Sequence, residues 1–293
     1  MGQRRASVNS ALRQILRPIY RSSILRPLRS TYLAAAYSMS FFSRYYRRRV
    51  FRIVSTTFRT GELSNFTYDL TSLNLNYLAH VVAIACGKPV TEILAYIDEI
   101  RHDTELHAFL NASLRRRGEP VAPDVASPFG RRIGWYAFVR AIKPEVVIET
   151  GVDRGHGSLV LCAGLLRNAA EGRPGRYYGT DIDTGAGWLL AGKYAEIGKI
   201  LYGDSIESIS KLDEPINLFI NDSDHSADYE YREYQTIKPK LAPGAIILGD
   251  NAHGNDMLAR FSDENGRHFL FFKEEPDRHW YPGAGIGISF DDR

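Results

Sequence analysis

Two short segments of the chain concentrate oxygen donors of the kind that bind hard cations. "LFINDSDHS" carries Asp222, Asp224 and His225, and "IILGDN" carries Asp250 and Asn251. Each closes an apolar run that reads as a buried strand, and neighbouring parallel strands end at one rim of a sheet. Oxygens of Asp222, Asp250 and Asn251 can therefore converge. Three such donors, with water or substrate completing the shell, suit Mg²⁺ or Mn²⁺. His225 stands in the same segment as Asp222 and Asp224, and His253 lies two residues beyond Asn251. Any one of these acids alone would serve equally well as a helix cap or a surface group.

A third segment, "EVVIETGVDRGHGS" from Glu145 to Ser158, joins a strand to a helix through Gly151, Gly155 and Gly157. Such a turn lets backbone approach a ligand closely, and the helix behind it presents unpaired N–H groups. The spacing is G-x-x-x-G-x-G, whereas a dinucleotide turn is G-x-G-x-x-G. Asp181, closing "YYGTD", can accept hydrogen bonds from both hydroxyls of a ribose, a role common to adenosine-containing ligands. Asp204 and Ser205, closing "LYGDS", fall within reach of an adenine edge.

The elements that must position these groups follow from the alternation of pattern after Gly130. Seven short apolar strands are expected at "EVVIET", "RYYGTDI", "KILYGD", "INLFIND", "GAIILGDN", "HFLFFKE" and "GIGISF". Helical segments separate the first six, among them "RRIGWYAFVRAI" before the first strand and "GWLLAGKYAEIG" after the second. This predicts an α/β fold: a Rossmann-like, doubly wound, mostly parallel seven-stranded sheet, closed by an antiparallel C-terminal hairpin and preceded by a helical N-terminal region. Three helices are expected before the sheet, capped by Thr71, Thr91 and Asp103, the first of them ended by Gly87 and Pro89. The organisation is read as an Arg-rich segment over 1–61, a helical subdomain with linker over 62–128 and a catalytic domain over 129–293.

Charge separates the first of these from the rest. The net charge is +3, yet residues 1–61 hold thirteen arginines and no acidic side chain, leaving 24 basic against 34 acidic residues over 62–293. Arginines interleaved with Tyr, Phe, Ile and Leu suit the headgroup boundary of an anionic membrane, so a peripheral membrane contact is one expectation for this arm, beside a solvated tail. No run reaches the roughly 20 apolar residues of a bilayer span. The two cysteines, Cys86 and Cys162, sit inside apolar runs, which fits a reducing, cytoplasmic setting and argues against a disulfide framework.

The order of glycine turn, ribose-type acid, "GDS", "NDSDHS" and "GDN" resembles class I S-adenosylmethionine (SAM)-dependent methyltransferases. More narrowly it resembles the metal-dependent O-methyltransferases of the catechol and caffeoyl-CoA type and the relatives of macrocin O-methyltransferase, over roughly Gly130 to Phe290. The resemblance implies SAM and Mg²⁺ (or Mn²⁺) as cofactors and methyl transfer to a hydroxyl. It implies Asp222, Asp250 and Asn251 as metal ligands, His225 as base, and cofactor contacts from Glu149, Gly151, Gly155, Gly157, Ser158, Asp181, Asp204, Ser205 and Asp224. The chain departs from the pattern at His225, where the catechol and caffeoyl-CoA enzymes carry a lysine. The expected acceptor is a hydroxyl of a small molecule, a sugar or a lipid-linked glycan. Nucleic acid is not an expected partner, and homo-oligomerisation stays open. Three other readings compete: a metal-independent O-methyltransferase of the same fold, an NAD-dependent oxidoreductase, and a catalytically silent membrane-surface or scaffold protein.

Overall fold

The computed structural model describes residues 65–119, 128–250 and 252–292, together with Ser38, Val50, Phe51 and Val54. The chain divides into two compact units, Met1–Ser55 and Thr56–Arg293. The Arg-rich arm with its expected membrane contact, most of the linker, and Asn251 lie outside the described residues. Among the described residues no helix is long and apolar enough to cross a membrane.

The second unit opens with strand β1 (Asp69–Leu70) and three helices, α1 (Ser72–Cys86), α2 (Val90–Arg101) and α3 (Thr104–Arg116). Thr71 caps α1 by accepting the N–H of Asn74, Gly87 ends it in a left-handed turn, and Asp103 caps α3 through the N–H of Leu106. Thr91 does not cap α2. That helix starts one residue earlier, at Val90, behind Pro89, whose ring fixes φ and whose missing N–H costs nothing at a helix boundary. Helix α4 (Arg132–Ile142) is buried from Arg132 through Ala141, as expected of a helix apolar on every side. It packs against α1, α2 and α5 (His156–Ala170).

The sheet comprises β2 (Val146–Thr150), β3 (Arg176–Asp181), β4 (Gly198–Tyr202), β5 (Ile216–Asn221), β6 (Leu241–Asp250), β7 (His268–Lys273) and β9 (Gly285–Phe290). A two-residue strand β8 (Pro276–Asp277) pairs instead with β1. The order across the large sheet is β4-β3-β2-β5-β6-β9-β7, with β9 alone running opposite to the other six. The predicted hairpin is thus present, with its second strand inserted between β6 and β7. Helices α6 (Ser205–Ser210), α7 (Ala227–Ile237) and α8 (Met257–Glu264) complete the cover. The segment "GWLLAGKYAEIG" is not an α-helix. Left-handed turns at Gly187 and Gly192 break it, leaving a short 3-10 turn over Gly192–Glu196.

Alternate residues of β2 feed opposite faces. Val147 joins a core shared with Leu78, Val82, Ile97, Trp135 and Leu161, while Val146 and Ile148 join Phe219, Tyr234 and Phe261 on the other side. The N-terminal helices and one sheet face therefore share a single apolar core. Leu78→Ala, at a fully buried side chain of α1, is expected to lower stability by about 2–5 kcal/mol. Chemical denaturation followed by far-UV dichroism and by tryptophan fluorescence should still give coincident transitions, and separated ones would show that the helices unfold apart from the sheet.

Candidate active site

Strand order reverses between β2 and β5: the chain winds outward through β3 and β4, then returns to the other side of β2. Helices on either side of that point leave a crevice at the carboxyl ends of the strands. Two adjoining chambers occupy it, an outer one of about 550 Å³ and an inner one of about 230 Å³, sharing Gly151, Asp153 and Asp222. Gly151 has φ 76°, and a Cβ there would fall on the carbonyl oxygen of Asp222, so only glycine lets the β2 and β5 turns meet.

The outer chamber is lined by Asp181, Asp204, Ser205 and Asp224 among others. The Asp181 carboxylate accepts the N–H groups of Asp153 and Asp183, both at 2.8 Å, which fixes its plane at the end of β3. Asp204 caps α6 through the N–H of Glu207 and takes a hydrogen bond from the Tyr229 hydroxyl; these donors hold its carboxyl below the usual range. Asp224 accepts the N–H of Ser226 at the start of α7.

Beneath this rim lies a group that the sequence reading missed. Glu233 is fully buried and receives hydrogen bonds from Thr150, Ser205, Asn221 and Ser223, joining the ends of β2 and β5 to α6 and α7. Burial pushes its carboxyl up to about 7. The signal was legible: Glu230, Glu233, Tyr234 and Ile237 fall at helical spacing on one face of α7, so two acids share its buried stripe.

In the inner chamber Glu149 is buried at the end of β2 and accepts hydrogen bonds from Tyr177 and Ser158. Burial pushes it up to about 7, with Tyr177 and the nearby Arg132 guanidinium opposing. Gly157 lets α5 close over this carboxylate, since a Cβ there would strike its oxygen. Ser158 stands behind Glu149 and lines neither chamber, and Gly155 forms the N-cap of α5 without lining one either. Arg132 and His156 do line the inner chamber. Both are buried, and Nε and Nη1 of Arg132 and both ring nitrogens of His156 have no hydrogen-bond partner among the described residues. Their rings and planes are held instead by Phe66, which stacks on His156 and lies 5.5 Å from the Arg132 guanidinium. Burial, reinforced by Arg132 and Arg154, drives the His156 imidazole well down, so it is neutral.

Asp222 and Asp250 do come together at the ends of β5 and β6, and a hydrogen bond joins their carboxyls. Between Asp250 and the helical layer stands Arg131. Its Nε and Nη2 each donate to one Asp250 oxygen, and Nη1 donates to the Tyr68 hydroxyl at 3.1 Å. Burial favours the neutral form of both groups, but their mutual attraction outweighs it, raising the Arg131 pKa and lowering that of Asp250. Asp222 is pushed far up, first by burial and then by the Asp250 charge. A divalent cation does not fit this donor set: both Asp250 oxygens already serve a guanidinium, and Mg²⁺ would need them bare. Among the described residues no group of three acidic, histidine or cysteine side chains gathers around a common point.

His225 lines the inner chamber, and its Nε2 lies 3.8 Å from Oδ1 of Asp222. His253 is exposed and lines neither chamber. Trp280 and Tyr281 stay with the core, Tyr281 against Tyr68 and Trp280 against His279. The segment that carries them also holds β8, which pairs with β1.

Residues 148–252, the stretch that runs from β2 to the end of β6, match a family described as a methyltransferase domain. Several solved structures are similar at low identity. The O-methyltransferase TomG from Streptomyces achromogenes, involved in tomaymycin synthesis and solved with SAM, is 15% identical over 66% of this chain and 91% of its own, with a TM-score of 0.49. An O-methyltransferase from Bacillus cereus, solved with S-adenosylhomocysteine, is 14% identical over 65% and 91%, with a TM-score of 0.46. A methyltransferase from Podospora anserina, also with S-adenosylhomocysteine bound, is 17% identical over 68% and 94%, with a TM-score of 0.47. No curated protein sequence matches.

The two elevated glutamates make stability depend on pH. Glu149 and Glu233 have an ordinary value of 4.5 and titrate near 7 in the fold. Between those values the folded protein keeps protons that the unfolded chain has released. Their stabilising effect is therefore complete below pH 4.5, declines as pH rises, and is gone above about pH 7, at roughly 3 kcal/mol per group across the window. Relative to wild type, Glu149→Gln should gain about that amount between pH 4.5 and 7.5 in urea titrations. A difference that stays flat with pH would rule out a raised Glu149.

Proposed function

We propose that this methyltransferase domain uses SAM to methylate a hydroxyl of a small molecule, a sugar or a lipid-linked glycan, with its own side chains and no bound metal handling the acceptor. The observation that carries the reading is the pairing of the two chambers. The outer one is lined by carboxylates held by backbone N–H groups and by the Ser205 hydroxyl, and the inner one holds a buried guanidinium, with Nε and Nη1 unbonded among the described residues, beside a buried acid. Those halves complement a nucleoside and a zwitterionic amino-acid tail respectively.

When bound, SAM supplies an electrophilic methyl on a sulfonium, and its transfer leaves a neutral thioether. The chain's own groups do the rest. Asp181 accepts the ribose hydroxyls, its other lone pairs already engaged by backbone, so it is pre-oriented and loses little freedom on binding. Glu149 faces the cationic end of the tail and gives up its proton as positive charge arrives. Arg132 offers charged N–H donors at Nε and Nη1, neither bonded among the described residues, to the tail's carboxylate. His225 takes the acceptor's hydroxyl proton at Nε2, and Asp222 beside it orients the ring.

Calorimetry tests the assignment piece by piece. Asp181→Ala should weaken SAM by about 1.5–3 kcal/mol, the scale of hydrogen bonds to a charged group. Arg132→Met should weaken SAM and S-adenosylhomocysteine together while leaving methylthioadenosine, which lacks the amino-acid tail, unchanged. His225→Ala should keep SAM affinity and lose about 10²–10⁴-fold in turnover once an acceptor is found by labelled-methyl transfer to hydroxyl compounds. A folded wild-type protein that binds none of the three adenosine ligands would end this reading.

A further inference from the structure

We propose that Arg131 is a resident cation, a guanidinium that stands in for a divalent metal at the acceptor end of the site. The inference rests on the methyltransferase reading for its meaning, but the geometry that supports it is independent of any ligand. The Arg131 and Asp250 side chains are 4% and 0% exposed. Their contact is two-pronged, Nε and Nη2 each meeting one carboxylate oxygen. A fork of this kind uses the lone pairs through which Asp250 would grip a metal.

The arginine is also locked in place. Nη1 reaches the Tyr68 hydroxyl and lies 3.8 Å from Oε1 of Glu274, while Tyr68 donates in turn to the other oxygen of Glu274. Glu274 is buried and accepts the N–H of Ala284. Tyr68 and Glu274 flank the paired strands β1 and β8, so a two-stranded strap holds the guanidinium from behind. The same guanidinium borders the inner chamber alongside Asp222 and His225. A second guanidinium, Arg132, borders it too, and an added divalent ion would be repelled by both. The positive charge that a metal would bring to the acceptor's oxygen is thus already built in, and it is fixed. A site of this type engages a single hydroxyl and needs no second oxygen to complete a metal shell.

The test is cation binding by the full-length protein, read by electron paramagnetic resonance of Mn²⁺, with and without S-adenosylhomocysteine. The wild type should hold no Mn²⁺ at millimolar concentration, and its turnover should be unchanged by chelator. Arg131→Ala, which bares both oxygens of Asp250, should take up one Mn²⁺ per chain, and Arg131→Ala combined with Asp250→Asn should take up none. If Arg131→Ala does not fold, Arg131→Gln replaces it, neutral but able to hydrogen-bond. One equivalent of Mn²⁺ on the wild type, lost in Asp222→Asn, would overturn the proposal. So would a folded Arg131 variant, judged by its S-adenosylhomocysteine affinity, that binds no Mn²⁺. A chain that binds no adenosine ligand would instead overturn the methyltransferase reading, while the Mn²⁺ titration would still report on Arg131.

Discussion

The arrangement turns on one buried ion pair. Arg131 precedes α4 and Asp250 ends β6, so their contact fixes the helical layer against the far side of the switch point. Removing two charges from water is costly, and a buried pair persists only where geometry and added hydrogen bonds compensate. Here the compensation comes from distant parts of the chain: the Tyr68 hydroxyl from the segment before α1 and the Glu274 carboxylate from the segment after β7. The pair thus selects one arrangement of helices, sheet and strap. Its cost in desolvation is the reason the strap must close tightly around it.

A second polar centre divides the labour. Around Glu233 the donors are all neutral, and the carboxyl is uncharged below about pH 7. This centre sets the relative position of strand ends that a ligand would touch, without adding a charge to compete with it. Glu149 combines the two: burial raises its carboxyl to about 7, while the Arg132 guanidinium nearby opposes that rise.

Much of this was legible in the sequence because local rules decided it. Thr71, Gly87 and Asp103 mark helix ends by their own chemistry, and β2, β3, β5 and β6 announce themselves as short apolar runs ending in polar turns. Asp181, Asp204 and Asp222 were readable for the same reason, since each sits at the end of such a run and lines the crevice. What escaped was whatever depends on pairing at a distance. Arg131 and Asp250 are 119 residues apart, and nothing near either predicts the other. Arg132 lay inside a stretch read only as a helix. Ser158 occupied a suggestive position in the glycine turn, yet the direction of its side chain, toward Tyr177 and Glu149, is a property of the packed fold. The failed helix after β3 shows local rules misapplied: apolar spacing outweighed the two glycines that break it.

The position of β9 has a consequence for how the molecule assembles. It lies between β6 and β7 although it follows both in sequence, and it is the strand on which β7 depends for its pairing. Strands β2 to β6 can form a parallel sheet as each emerges with its helix, but β6 then keeps an open edge until β9 arrives. Contacts of such wide sequence separation close slowly. The strap that holds Arg131 is drawn from the same late-arriving region, joined to a segment some two hundred residues earlier. A chain emerging from the ribosome therefore presents the residues that line both chambers before the strap that locks Arg131, and that interval is when the exposed β6 edge is most open to pairing with the wrong neighbour.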